Sequence, residues 1–139
     1  MSAASNYTEA NIINALLRGT AFPLPAHTYV SLHTANPTDA GGSEVTSGAW
    51  PQYARVQAEQ GGAIGTGWDA PTDGVTQNSK QLTYLSMNGG ADVVVTHWAV
   101  YDAATGGNML AYAPLQTSRT LKTGDIFVFD IGALQISAA

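Results

Sequence analysis

The side chains of this 139-residue chain that could take part in chemistry are few and widely spaced. Its metal-ligating and acid–base groups are three histidines and ten acidic residues; it has no cysteine, so thiolate metal sites and disulfides are unavailable. His33 and His97 lie on strand-like stretches and could approach across paired strands, with Asp39 or Asp102 joining them in a metal site. His27 is the third candidate ligand. No close spacing such as His-x-x-x-His supports a site, and single histidines more often pack or hydrogen-bond locally, so no metal is expected. The acidic residues stand singly, whereas glycoside hydrolysis needs two carboxylates held at a set separation. Gly61-Gly62, Gly65 and Gly67 are followed by no Gly-Lys-Ser/Thr and sit at no visible strand-to-helix junction; they read as turns, not as a phosphate cradle. No serine occupies a Gly-x-Ser-x-Gly elbow, and Asp69 and Asp73 around Pro71 lack the spaced ligands of a calcium loop. Tyr29, Trp50, Tyr53, Trp68, Tyr84, Trp98 and Tyr101 could form a platform for stacking sugars, but core and interface packing explains such residues better. The expectation is a chain with no catalytic residue and no cofactor.

The elements that would position these groups are mostly strands. Val93 to Ala113 reads as a β-hairpin, two strand-type runs around a loop holding Asp102, Thr105, Gly106, Gly107 and Asn108. In its first arm Trp98 and Val100 share one face, and His97, Ala99 and Tyr101 the other. Asn6 to Gly19 is the one convincing helix, with Asn6 as cap, Glu9 as the capping-box partner and Gly19 as the stop. Ile12, Ile13, Leu16 and Leu17 form its apolar stripe, most simply laid on a sheet, with a partner-docking surface as the alternative. Thr28 to Thr34 alternates as a half-buried strand, with Val30 and Leu32 opposite Tyr29, Ser31 and His33. Asn36 to Gly48 is loop chemistry. Further strands are expected within Tyr53 to Gln57, Gln81 to Met87, Thr117 to Lys122 and Ile126 to Ile131, the last with Phe127, Phe129 and Ile131 on one face; Leu134 and Ile136 continue into an extended end. Gly61 to Asp73 reads as irregular, bulged strand. Roughly seven or eight short strands plus one helix predict a mainly β fold, a single β-sandwich or jelly-roll-like domain over residues 6–139, preceded by a flexible arm at 1–5.

Composition narrows the partners. Apolar residues make up 45% of the chain, but charged residues only 11%, well under the usual quarter. A low-charge surface rich in Ser, Thr, Asn, Gln and Gly suits a protein largely covered by neighbours, or simply a neutral β protein. The net charge of −5 argues against gripping nucleic-acid phosphates. No apolar run approaches a membrane span, and no basic-then-apolar leader is visible.

Four stretches carry a resemblance. Asn14-Ala-Leu-Leu-Arg-Gly-Thr20, Tyr29-Val-Ser-Leu-His-Thr-Ala-Asn-Pro-Thr-Asp39, Tyr53-Ala-Arg55 and His97-Trp-Ala-Val-Tyr-Asp-Ala-Ala-Thr-Gly-Gly-Asn-Met-Leu110 stand in this order. In that order they resemble small structural proteins of tailed bacteriophages, labelled tail fibre protein or capsid decoration (cement) protein. The resemblance runs from about Asn14 to Leu134. It implies a virion structural protein. The lack of a coiled-coil or repetitive shaft points to the outer capsid surface rather than a long fibre. The resemblance further implies a homotrimer bound to the major capsid protein, holding the shell against packaged DNA through many modest contacts. A tail or tail-fibre component that binds a host receptor carbohydrate is the alternative, and a carbohydrate-active enzyme a distant third.

Candidate contact residues follow from residue type. Ser2, Asn6 and Tyr7 belong to an arm that could order against a neighbour. Arg18 and Arg55 each suggest a specific acceptor in so uncharged a chain, with surface solvation or an intrachain bond as the alternative. Trp50, in its Gly-Ala-Trp-Pro loop, is either an exposed aromatic contact or a lid on the core.

Overall fold

The computed structural model describes residues 2–138 and is mainly β, a sandwich with one helix. Its larger layer is an antiparallel sheet of β1 (Ala3–Ala4), β7 (Met109–Leu121), β6 (Val93–Tyr101), β2 (Tyr29–His33) and β3 (Val56–Gln57), in that spatial order. Two short pairs make up the rest, β5 (Leu82–Thr83) with β8 (Val128–Phe129) and β4 (Val75–Gln77) with β9 (Gln135–Ser137). The apolar core joins Val30 and Leu32 of β2 and Val95, Trp98 and Val100 of β6 to Leu82, Tyr84, Phe127, Phe129 and Leu134 from beyond the main sheet.

The β6–β7 hairpin is the spine, as its sequence predicts. Val93 and Val95 point into the core, and so do Trp98 and Val100, an inward phase that slips by one residue. A register shift between Val95 and His97 absorbs the slip, leaving Leu115 to Ser118 of β7 bulged out of the ladder. Arrayed opposite are Ala99, Tyr101 and Met109, a second small cluster on the outer face.

Several expectations need correction. The segment read as a loose arm is tied down: Ala3 and Ala4 pair with Tyr112 and Ala111, and Ser5 is buried. Strand β2 is not half-buried, since Ser31 and His33 are as inaccessible as Val30 and Leu32. The cause is the 36–44 loop, which folds back so that Thr34 N–H donates to Ser43 O (2.9 Å) and Val45 N–H to Leu32 O (2.9 Å). Phe127 and Phe129 enter the core while Ile131 stays outside at 65% exposure, because the chain turns after Asp130.

Helix α1 (Asn6–Arg18) begins one residue earlier than the predicted cap: Ser5 Oγ accepts from Thr8 N–H (3.2 Å), so Glu9 is not placed as a capping-box partner. Gly19, at φ 68°, closes it by donating its N–H to Asn14 O, as expected of a left-handed cap. The apolar stripe does not lie on the sheet. No residue of α1 is buried, and Ile12, Ile13, Leu16 and Leu17 all face outward.

Candidate functional site

The polar groups with the strongest local fields gather beside β2. Arg55 embraces Glu44 in a two-pronged ion pair, Nε to Oε2 at 2.9 Å and Nη2 to Oε1 at 2.8 Å. Its Nη1 donates to Ala103 O and Gly106 O in the β6–β7 loop, both at 2.8 Å, and the guanidinium lies 3.7 Å above the Tyr101 ring. Tyr53 OH completes the group, donating to Glu44 Oε2 (2.6 Å) and accepting from Leu32 N–H (3.0 Å). Burial alone would raise the Glu44 carboxyl pKa, but the hydrogen bonds from Arg55 and Tyr53 outweigh it and hold the group below its ordinary range. Burial, reinforced by the Glu44 charge, pushes Tyr53 far up, so its phenol stays protonated.

His33 and His97 do meet across β2 and β6 as register partners. His33 is fully buried, stacked on Tyr101, and its pKa is lowered by that burial. Gly42 O, 2.6 Å from Nδ1, can only accept, so Nδ1 carries the proton and Nε2 accepts from Ser31 Oγ (2.8 Å). His97 is lowered by burial as well, and its Nδ1 pairs with Thr96 Oγ1 at 2.8 Å. Among the described residues no group of three His, Cys, Asp or Glu side chains is placed to hold a metal ion.

A second polar knot surrounds Glu59, a carboxylate with no exposed surface. Its Oε1 accepts from Thr28 N–H (2.7 Å), its Oε2 accepts from the Thr28 hydroxyl, and Trp68 Nε1–H donates to Thr28 Oγ1 (2.9 Å). His27 Nδ1 lies 3.4 Å from Oε1 without hydrogen-bond geometry. Asn78, also fully buried, donates to Lys80 O and Asp130 O and accepts from Leu134 N–H. Glu59 and Asn78 are thus bonded to the surrounding backbone and fix loops, while His27 Nδ1 is buried without a hydrogen-bond partner.

Of the six contact residues singled out in sequence, Trp50 is buried, Ser2, Tyr7 and Arg55 are half-buried, and Asn6 and Arg18 are exposed. Trp50 is fully buried, its Nε1–H donating to Ser86 O (3.1 Å): it lids the core and offers nothing outward. Arg55 is 7% exposed in its side chain, and its acceptors are intrachain. Ser2 Oγ accepts from Ser137 N–H (2.8 Å), fastening the first strand to the last. Tyr7 is half-buried edge-on to Phe22, and Asn6 is exposed while its N–H donates to Asp39 O (3.1 Å). Arg18 is exposed and has no ion pair among the described residues. Of the seven aromatics of the supposed sugar platform, Trp50, Tyr84, Trp98 and Tyr101 are buried and Tyr29, Tyr53 and Trp68 half-buried. An open groove of about 770 Å³ runs between β7 and the β8–β9 turn, but Trp98, Phe127 and Phe129 show it only their edges, at 5% exposure or less.

Sequence reasoning missed Glu44, Glu59 and Asn78. The signal for Glu44 was present in Arg55, whose charge required a partner; nothing marked the other two.

The α1 stripe faces outward on a helix with no buried residue, and Leu24, Leu85 and Ile131 are exposed elsewhere on the surface. Against known proteins, a family model described as podophage GP4 fiber I protein gp80 matches residues 3–137. The chain belongs to that family. Among curated proteins none matches it. Membership of the podophage fibre family gives the setting: this is a bacteriophage structural protein of the virion. The family match covers β1 through β9, so it applies to the entire sandwich and not to one motif.

Proposed function

We propose that the protein is a non-enzymatic subunit of a phage fibre or of its attachment, acting by holding neighbouring virion proteins in place. The observation that carries this reading is the fibre-family match over residues 3–137. The geometry is in keeping with it. Glu44, Glu59 and His33 are held in turn by Arg55, by Thr28 and by Gly42 O, which suits a rigid part better than a reacting centre. Among the described residues the only helix has 13 residues, and no strand stack repeats, so the chain fits a knob or adaptor rather than a shaft.

The second reading is capsid decoration, a homotrimer on the major capsid protein at the outer capsid surface. The same compactness and the low charge favour it. The two differ in stoichiometry. Antibody labelling of purified virions with quantitative gel analysis should find few copies, confined to the tail, and removal of the protein should reduce adsorption to host cells. Hundreds of copies over the head, with heads that leak DNA on warming when the protein is absent, would replace the fibre reading by the shell one.

A further inference from the structure

Helix α1 is amphipathic but mounted with its apolar side away from the protein. Its half-buried positions are Tyr7, Thr8, Asn11, Asn14 and Ala15, mostly polar, while Ile12, Ile13, Leu16 and Leu17 are exposed at 41%, 55%, 77% and 80%. A stripe of this kind on a soluble chain ordinarily marks a contact.

We propose that the stripe is the contact for a second copy of the same chain, the two α1 helices packing antiparallel about a twofold axis. Two observations select that occupant. The first is spacing: positions 12, 13, 16 and 17 are symmetric about their own midpoint, between Asn14 and Ala15, so reversing the helix about that point sets Ile12 against the partner's Leu17 and Ile13 against the partner's Leu16. The second is area: the four residues expose on the order of 500 Å² per copy, so a pair covers at most on the order of 1,000 Å², the threshold for a specific contact. This pairing is independent of whether the protein sits on fibre or shell.

The full chain should sediment as a monomer–dimer equilibrium, and Leu16→Glu or Leu17→Lys should weaken the pairing about tenfold or more while leaving the melting of the dilute monomer unchanged. The chain has no cysteine of its own, which makes geometry readable. An oxidised mixture of Ile13→Cys and Leu16→Cys chains should cross-link between the two variants far more than either does alone. Self-cross-linking of each variant by itself, a trimer insensitive to Leu16→Glu, or a monomer at all concentrations whose stripe is covered by another virion protein would each overturn the proposal.

Discussion

At Arg55 one side chain ties together three segments: the 36–44 loop through Glu44, the β6–β7 loop through Ala103 O and Gly106 O, and the sheet through the Tyr101 ring. Lysine has the charge but not the fork, so Arg55→Lys should cost about 2–3 kcal/mol, read as a lower urea midpoint. The same cluster sets the response to acid. His33 has its folded pKa below the ordinary 6.5, so the stability it contributes is complete above that pH and is lost as pH falls through the folded value. Glu44 is held below the ordinary 4.5 and behaves in the same direction lower down, its contribution complete above 4.5 and lost below. The urea midpoint should therefore decline in two stages on acidification, and His33→Asn should remove most of the upper stage, leaving the share due to His97. An undiminished upper stage in that variant would contradict a neutral, buried His33.

Among the elements, the β6–β7 hairpin was the most legible, because period-two patterning and paired glycines belong to the same stretch. The glycines differ in what they tolerate. Gly106 (φ 61°) has open space where a Cβ would go, whereas a Cβ on Gly107 (φ 71°) would meet Asp102 Oδ1 at 2.5 Å and the Ala103 Cβ at 2.6 Å. Gly106→Ala should cost about 1 kcal/mol for the left-handed backbone alone, and Gly107→Ala distinctly more, which parallel thermal melts will rank. At the helix, the stop at Gly19 was readable but the start was misplaced by one residue, since Ser5 and Asn6 are both good caps and only tertiary contact decides between them. Ser5 is chosen because it is buried and its hydroxyl also donates to Met109 O. Removing both bonds with Ser5→Ala should cost about 1–2 kcal/mol in the same melts. The short strands β3, β5 and β8 were blurred, and β4 was not read at all, for a related reason: two or three paired residues leave too little alternation to mark them.

On the scale of the molecule, composition and periodicity revealed a sandwich but not which apolar residues it would keep. Trp50 in a Gly-Ala-Trp-Pro loop and Leu17 on a helix stripe look equally suited to surface or core, because a hydrophobic pattern records that a face is covered and not by what. The structure sorts them oppositely, Trp50 fully inside against Tyr53 and Tyr84, Leu17 80% exposed. A protein that folds around β6–β7 and meets its neighbours through α1 should show this division in its energetics. Trp50→Ala opens a cavity beneath the 46–50 turn and should cost about 3–5 kcal/mol. Leu17→Gln removes nothing the isolated chain has buried and should fall within about 0.5 kcal/mol of the parent. Urea unfolding at low protein concentration compares the two directly. A large loss at Leu17 under those conditions would mean that α1 packs its stripe within the single chain, and the division between an inward sandwich and an outward helix would fail.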